Sequence, residues 1–393
     1  MLIFKIIFLG YLGVGALYWL AQLALSLRVM KSVRLISDLK GAEPDPWPRV
    51  SEIVTARNEA DTIIAAMSVR LEDDYPNLEI ILIDDRSEDG TSELADEIAR
   101  NDPRVKAVHL KELPEGWLGK LHALHQGVKR ATGDWLLFSD VDVRIRKGAL
   151  KKSIAYCETR KLDLLAGLPE IFPVNFALDI FFSVFIRFIC LAARVWAIED
   201  EKSRASAGSG SFNLVRRTAF EKTKGFEWLK LEPADDVALG QMMKESGARC
   251  SLVNGRGYIG VYFYRSLREL AIGSERALFT SIGNLSFWRL ALMAAVVFLL
   301  ELSPFFALIP VGVPHLWISG LAMIWVAIFI QVLLNQWAGR NILPSFFFPV
   351  GSIALPMITL RAGILGAIRG GIYWRGTFYP SGILKAGKRY KLY

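Results

Sequence analysis

The feature that most constrains this chain is a run of 22 uncharged residues near its N terminus, 6–27. A helix of about 20 apolar residues can cross the hydrocarbon core of a bilayer. A cleaved signal peptide has a shorter apolar core of about 7–15 residues, followed by a small-residue cleavage site. Here the run is followed by the bases Arg28, Lys31 and Arg34. We therefore predict a retained transmembrane anchor, with the domain after it in the cytoplasm.

The C-terminal part of the chain is also apolar, from about 290 to 368. It contains three candidate spans, 290–312, 316–334 and 343–360, and prolines interrupt the last of them. Three crossings from the cytoplasm would place the basic tail outside the cell, against the positive-inside rule. Either the last segment is re-entrant or the tail breaks the rule, and the sequence leaves both open.

A further apolar stretch, 171–198, lies in the middle of the chain. Asp179, Arg187 and Arg194 interrupt it, so we do not expect it to cross a bilayer. An aromatic face with sparse bases is typical of a helix that lies in the membrane interface. A buried core helix would have the same composition, and the sequence favours neither reading.

The formal charge of +8 is unevenly distributed. Residues 41–285 contain 33 bases and 37 acids, so the basic excess lies in 1–40 and 286–393. Bases that flank apolar segments indicate membrane topology rather than a nucleic-acid partner. We predict an N-terminal anchor with its basic flank (1–40), a cytosolic domain (41–285) and a C-terminal membrane domain with a basic tail (286–393). The protein is then a multi-pass protein of the cell membrane.

In the middle domain, strand-like and helix-like segments alternate. The predicted strands are 50–55, 79–83, 105–109 and 134–139, and the predicted helices are 59–72, 91–101 and 119–131. Such alternation is typical of an α/β fold with a largely parallel sheet covered on both faces. Ligands of these sheets bind beyond the carboxyl ends of the strands.

Polar clusters follow the predicted strands where each one ends. Thr55, Arg57 and Glu59 follow the first strand, and Asp84 and Asp85 follow the second. Neighbouring Ser87 and Asp89 are explained as helix caps. Asp84 and Asp85 stand together at the end of an apolar strand, and helix capping does not explain them. We therefore predict that they face a ligand.

Asp140 and Asp142 follow the strand that ends at residue 139. Residues i and i+2 of an extended segment point the same way, so the two carboxylates converge. Their repulsion is relieved by a cation, and hard oxygen ligands suit Mg²⁺ or Mn²⁺, which also bind phosphates. We predict a divalent cation at this position.

Asp235 and Asp236 begin a predicted helix. The helix macrodipole accounts for one acid there without any function. Two adjacent acids opposite a predicted metal site are compatible with a general base.

Taken in order, these clusters resemble a family 2 glycosyltransferase with a GT-A fold, a Rossmann-like mixed sheet. The motifs that carry the resemblance are TARNEA (55–60), IDDRSEDGT (83–91), GKLHAL (119–124), TGDWLLFSDVD (132–142), GSGSFNLVRRTAF (208–220) and ADDVALG (234–240). With its apolar ends and the motif YWRGTFY (373–379), the whole chain is similar to membrane members that act on hopanoids, carotenoid acids, ceramide or diacylglycerol.

The resemblance implies a role for each matching residue on the donor side. Thr55, Arg57 and Glu59 would line the nucleoside pocket, and Asp85, with Asp84 beside it, would bind the base or ribose. The remaining donor residues would act on the diphosphate: Lys120 directly, and Asp140 and Asp142 through the divalent cation.

On the acceptor side, the resemblance implies that Asp236 is the base that deprotonates the acceptor hydroxyl, supported by Asp235. Processive polysaccharide synthases of the family carry a QxxRW motif after these acids. The nearest match here is GSERA (273–277), which keeps only Arg276, a residue that would contact diphosphate.

We therefore expect an enzyme that transfers a sugar, with inversion, from a nucleotide sugar (a UDP-sugar first) to a hydroxyl or carboxyl of a membrane lipid. A processive polysaccharide synthase and a non-catalytic nucleotide-sugar-binding membrane protein remain as alternatives.

Overall fold

The computed structural model describes residues 2–374 and 376–391, which divide into two compact units. The helical unit comprises Met1–Ser32, Pro173–Ala192 and Tyr264–Ser381. The sheet unit comprises Val33–Phe172, Ala193–Phe263 and Gly382–Tyr393.

In the described ranges the secondary structure consists of α-helices, β-strands and a few short 3-10 and π turns. The helices are α1 Leu2–Ser32, α2 Ile63–Leu71, α3 Thr91–Asn101, α4 Gly119–Arg130, α5 Ala149–Arg160, α6 Phe176–Ala192, α7 Arg217–Phe220, α8 Gly225–Leu229, α9 Asp235–Glu245, α10 Leu267–Arg276, α11 Phe287–Phe306, α12 Leu316–Trp337, α13 Phe348–Arg369 and α14 Ser381–Gly387. The strands are β1 Arg34–Leu35, β2 Val50–Ala56, β3 Leu78–Asp85, β4 Val105–Leu110, β5 Trp135–Asp140, β6 Arg144–Ile145, β7 Leu164–Leu168, β8 Glu170–Ile171, β9 Asn213–Arg216, β10 Cys250–Asn254, β11 Ile259–Val261, β12 Gly371–Trp374 and β13 Thr377–Pro380.

The sheet unit is built on an eight-stranded sheet in the order β1-β10-β7-β9-β5-β2-β3-β4. Only β9 runs antiparallel to its neighbours β5 and β7, so the sheet is mixed but mostly parallel. The predicted α/β class with a Rossmann-like mixed sheet is confirmed. The short strands β6, β11 and β8 form a second sheet.

Helices cover both faces of the large sheet. Val54 and Leu82 pack in a buried cluster with residues of α2 and α3. Ile53 and Ile83 point to the opposite face, where their side chains meet Gly127 of α4 so closely that a Cβ there would clash. Because these strands are buried on both faces, their sequences are continuous apolar runs with polar residues at the ends.

The helical unit contains the apolar ends of the chain. Among the described residues, five helices are long and apolar enough to cross a membrane: α1, a helix over 176–197 that includes α6, α11, α12, and a helix over 343–369 that includes α13. Each predicted span, 6–27, 290–312, 316–334 and 343–360, falls largely within one of them.

The units divide the chain differently from the predicted boundaries at 40 and 285. Residues 33–40 belong to the sheet unit, because β1 extends the large sheet by pairing with β10. Residues 264–285 belong to the helical unit, where Glu275 of α10 bonds Arg361 and Arg369 of α13 at 2.5 and 2.8 Å. The segment 173–192 is also helical, and the tail from Gly382 belongs to the sheet unit.

Several of the charges that interrupt the apolar helices are paired within the helical unit. Arg187 of α6 donates from Nη2 to Glu301 Oε2 of α11 at 2.6 Å, and both side chains are 0% exposed. Glu301 also accepts hydrogen bonds from Tyr18 and Ser352. Asp179 forms an ion pair with Arg340 at 2.5 Å. Buried charges of this kind persist only when paired and hydrogen-bonded.

Candidate active site

The register of the large sheet brings the predicted polar clusters together. Thr55 of β2 lies opposite Asp140 of β5, and Ala56 lies opposite Asp84 of β3. Three polar strand ends that are far apart in sequence therefore meet at one edge of the sheet. This edge is where ligands of parallel α/β sheets bind.

Lys120 lies at the centre of this edge, in the first turn of α4. Its Nζ lies 2.7 Å from Asp140 Oδ1 and 3.0 Å from Asp235 Oδ2. Burial lowers the pKa of Lys120, but the charges of Asp140, Asp235 and Asp236 outweigh it and raise the pKa above its ordinary value. The lysine is therefore a fixed positive charge that joins the acids after β5 to those of α9.

Asp236 is fixed by the loop that contains Gly208 and Gly210. Its Oδ2 accepts a hydrogen bond from Gly210 N at 2.8 Å, and its Oδ1 accepts one from Val237 N at 2.8 Å. The same loop accepts a bond at Gly210 O from Asp140 N, at 2.9 Å. The two acidic clusters are thus held in register by one loop.

The glycines of this loop are required by close approach. A Cβ on Gly208 would lie 1.8 Å from Asp236 O, and one on Gly210 would lie 2.8 Å from Asp140 Oδ2. Any larger residue would separate the loop from α9 or displace the Asp140 carboxylate. The Gly-Ser motif is therefore explained by packing at the site.

A small, partly open cavity lies between these groups. Charged, polar and apolar side chains share its wall, and all of them belong to the sheet unit: Lys120, Leu124, Phe138, Ser139, Asp140, Gly210, Asn213, Phe226, Asp235, Asp236 and Leu239. Polar groups converging in a partly apolar cavity are typical of a small-molecule site.

Asp142 lies beside this wall among other carboxylates. Burial, followed by the charges of Asp140 and Glu59, raises its pKa to about 7. Carboxylates that converge in this way fit a hard divalent cation, which relieves their repulsion. In the part of the chain that the structure describes, no group of three or more His, Cys, Asp or Glu side chains is arranged around one point. Asp140 and Asp142 are the two predicted carboxylates that would hold such a cation.

On the donor side, Asp85 is buried at the end of β3 and faces two arginines. Arg86 Nε lies 2.8 Å from its Oδ1, and Arg57 Nη1 lies 3.8 Å from its Oδ2. Gly119 permits this position, because a Cβ there would lie 2.3 Å from Asp85 Oδ2. Asp85 and Arg57 therefore lie together beside the start of α4, next to Lys120.

Asp84 and Glu59, also predicted donor residues, have local bonding partners. Asp84 accepts hydrogen bonds from Ser87 N at 3.2 Å and Ser92 Oγ at 2.6 Å. Glu59 accepts one from Thr62 Oγ1 at 2.9 Å. These bonds order the turns that follow β3 and β2.

Arg276, the remaining predicted site residue, belongs to the helical unit. It ends α10 in the helical unit, where its guanidinium lies 4.2 Å from the ring centre of Trp374. All the other predicted site residues belong to the sheet unit.

Arg70 of α2 is a site residue that the sequence analysis missed. It is buried, and it donates from Nε to Val143 O at 2.9 Å and from Nη2 to Ser139 Oγ at 3.0 Å. It also bonds the Glu52 carboxylate and the carbonyl of Asp140. It thereby fixes the backbone on both sides of Asp140 and Asp142. A signal was present, since Ile63, Ala66, Met67 and Arg70 form one buried stripe of α2.

The mixed sheet with acids at its strand ends defines an α/β protein of GT-A type. In solved structures this fold occurs in the mannosyltransferase PcManGT from Pyrobaculum calidifontis, solved in complex with GDP-Man and Mn2+. The TM-score is 0.50 at 18% identity, over 91% of this chain and 96% of that one.

Residues 51–223 match glycosyl transferase family 2, so this segment of the chain is similar to that family. A putative teichuronic acid biosynthesis glycosyltransferase, TuaG of Bacillus subtilis, is 30% identical over 29% of this chain and 43% of its own length. Poly-beta-1,6-N-acetyl-D-glucosamine synthase of Staphylococcus epidermidis is 30% identical over 44% and 40%. Beta-monoglucosyldiacylglycerol synthase of Synechocystis sp. is 29% identical over 36% and 30%. The chain thus covers less than half the length of these curated relatives.

Proposed function

We propose that this protein transfers a sugar from a nucleotide sugar to a lipid acceptor at the membrane, with inversion at the anomeric carbon. The observation that carries the proposal is the convergence of Lys120, Asp140, Asp235 and Asp236 on one cavity. A fixed positive charge suits a substrate with an anionic leaving group. The carboxylates beside it can provide the base that the reaction requires at the acceptor hydroxyl.

The leaving group of the reaction is a nucleoside diphosphate, whose negative charge grows as the bond to the sugar breaks. Lys120 provides a permanent charge for it. Asp140 and Asp142 are the residues that would hold a divalent cation, Mg²⁺ or Mn²⁺, which when bound neutralises diphosphate charge. Asp85 and Arg57 would bind the nucleoside, with Thr55 at the adjoining strand end.

The base of the reaction is Asp236. Both acids line the cavity, but Asp235 is buried and paired with Lys120, whereas Asp236 is partly exposed. In a single displacement the acceptor oxygen forms a bond to the anomeric carbon as the bond from that carbon to the phosphate oxygen breaks. The acceptor proton passes to Asp236, and the nucleoside diphosphate leaves with the bonding electrons, so the configuration inverts.

A lipid acceptor is supported by the five long apolar helices and by the relative named as a glucosyldiacylglycerol synthase. Another relative is named as a polysaccharide synthase, so a polymer product is the second candidate. Incubating membranes with radiolabelled nucleotide sugars, UDP-sugars first, and analysing extracted lipids by mass separates the two. A lipid with one added sugar supports the proposal, a long polymer supports the second candidate, and nucleotide binding without any product contradicts both.

The assignment of the base is tested by Asp236→Asn, with Glu97→Gln on the exposed face of α3 as the matched control. General-base catalysis contributes about 10²–10⁴-fold, so Asp236→Asn should lose that much turnover while still binding nucleotide. Full sugar transfer by this variant would rule out Asp236 as the base.

We further propose that α6 does not cross the membrane. Before α6, Phe172 N bonds Val261 O at 2.9 Å, and after it Ile198 O accepts a bond from Lys244 Nζ at 2.7 Å. Both flanks thus continue the sheet unit, and a folded unit lies on one side of a bilayer. A helix that lies in the interface agrees with this connectivity.

The same reasoning limits the C-terminal helices. Residues 264–381 leave the sheet unit and return to it at Gly382, so they cross the membrane an even number of times. One of α11, α12 and α13 is then re-entrant or interfacial, and the basic tail lies on the cytoplasmic side with the sheet unit. Cysteine introduced at exposed Lys385 tests this, since Cys157, Cys190 and Cys250 are buried. Labelling by an impermeant thiol reagent from outside intact cells would contradict it.

A further inference from the structure

The tail of the chain contacts the loop just before α9, the helix that carries the proposed base. Glu232 lies just before Asp235 and Asp236 and is 0% exposed. Its Oε1 accepts a hydrogen bond from Ala234 N at 3.0 Å. Its Oε2 accepts two from the tail, from Arg389 N at 2.5 Å and Tyr390 N at 2.8 Å. Two of the three bonds to this buried carboxylate therefore come from residues more than 150 positions away.

Further tail contacts are made with residues before and after Asp235 and Asp236. Before them, Gly387 packs on Leu231 so closely that a Cβ would lie 2.1 Å from the Leu231 Cβ. After them, Lys391 N donates to Gln241 Oε1 of α9 at 2.9 Å. The tail thus bridges the loop before the proposed base and the helix that begins with it.

Side chains of the tail add to these backbone bonds. The guanidinium of Arg389 lies 5.5 Å from the ring centre of Trp228 in α8. Burial, and then the charges of Asp236 and Glu232, raise the pKa of Tyr390. The phenol therefore stays protonated at neutral pH, within the electrostatic reach of the proposed base.

We propose that the tail, Gly387–Lys391, is a positioning element of the active site. Its backbone N–H groups donate hydrogen bonds that fix the Glu232 carboxylate, and this holds Asp236 in position at the cavity. The inference rests on the proposed function, because Asp236 is the base only if the protein transfers sugar. Without the tail, Glu232 would be a buried carboxylate bonded only by Ala234 N, an arrangement that costs free energy until the loop moves.

The sharpest test compares Arg389→Pro with Arg389→Ala. Both variants lose the guanidinium over Trp228, but only proline removes the N–H that Glu232 accepts. A displacement of about 1 Å at a reacting group can cost about 100-fold in rate. We therefore expect kcat to fall by roughly 10–100-fold in Arg389→Pro relative to Arg389→Ala, with an unchanged KM for the nucleotide sugar. Lys385→Ala, an exposed change nearby, is the control.

A chain truncated after Gly387 is the second variant, and a synthetic peptide of residues 382–391 should restore part of its turnover. Hydrogen exchange of residues 229–241 gives a readout that does not depend on activity. It should rise in the proline and truncated variants and not in Arg389→Ala. Equal kcat for the two Arg389 variants, or unchanged exchange, would overturn the inference.

The two proposals fail in different ways. If the unaltered protein turns over no nucleotide sugar, the proposed function fails and the exchange data decide whether the tail holds the loop. If it turns over and the proline variant matches the alanine variant, only the role of the tail is refuted.

Discussion

Each unit of the molecule buries a base among acids, but the charges are balanced in one and not in the other. In the helical unit, Arg187 pairs with the single acid Glu301, and both are fully buried. In the sheet unit, Lys120 lies 2.7 and 3.0 Å from two carboxylates and feels a third, that of Asp236. The first group is enclosed, whereas the second lines a partly open cavity.

The comparison separates a structural group from a functional one. An enclosed pair with every charge compensated has nothing left to bind. An excess of negative charge at an open cavity is unfavourable for the protein alone and becomes favourable when a cation binds, a pattern typical of functional sites. The following predictions test the contrast, since stability should depend on the first group and activity on the second.

The largest effect is expected from Arg187→Met in the helical unit. The substitution leaves Glu301 buried without its counter-charge, and breaking a buried pair in this way costs about 3–5 kcal/mol. Unfolding of purified protein in detergent measures it, with the exposed Arg289→Met on α11 as control. Adding Glu301→Gln should recover much of the loss, because the amide still bonds Tyr18 and Ser352. A single variant as stable as the unaltered protein would contradict the reading of this pair as structural.

The next effect is expected from Lys120→Met in the sheet unit. Removing one preorganised stabilising group from an active site typically costs about 10²–10³ in kcat, or roughly 2.7–4 kcal/mol. Stability should fall less than in Arg187→Met, because Asp140 and Asp236 are partly exposed and only Asp235 is left buried without its partner. Lys129→Met, on the exposed end of the same helix, is the matched control. If Lys120→Met lost stability and kept its turnover, the two groups would have the same role and the contrast would fail.

Much of this contrast could be predicted from the sequence, because it depends on local patterns. The predicted strands and helices of the middle domain lie within a few residues of β2–β5 and α2–α4. Asp140 and Asp235 were found because polar residues at strand and helix ends interrupt apolar periodicity, whereas Lys120 was implied by the family resemblance. The parallel register then places Asp140 beside Thr55 at one edge of the sheet, where Lys120 contacts it.

The rest depends on contacts between distant segments, for which local periodicity gives no signal. The bonds from the tail to Glu232 join residues 157 and 158 positions apart. The composition of 171–198 showed its charges but not that Arg187 has a partner on α11. Arg70 is an intermediate case. Its place on the buried stripe of α2 was readable, but its bonds to Ser139 and Val143 were not.

The smallest effect is expected at Asp73, a buried acid of the sheet unit that has neither a paired base nor a place in the cavity wall. Burial is the main reason that its pKa is raised to about 6, and the charge of Glu52 adds to it, although a bond from Tyr75 N acts in the opposite direction. Because the folded pKa exceeds the ordinary value of 3.8, ionisation of Asp73 destabilises the fold. This destabilisation is complete above about pH 6 and disappears as the pH falls towards 4.

Asp73→Asn should therefore raise the free energy of unfolding by about 1–3 kcal/mol at pH 8 and have little effect near pH 4. The asparagine can still accept the bond from Tyr75 N, so the comparison isolates the charge. Denaturant unfolding at the two pH values measures the difference, and turnover should be unchanged, because Asp73 lies outside the cavity wall. A stabilisation equal at both pH values would show that packing, not charge, is responsible. Loss of turnover would show that an unpaired buried charge outside the cavity also serves the reaction. Activity would then not depend only on the acids around Lys120.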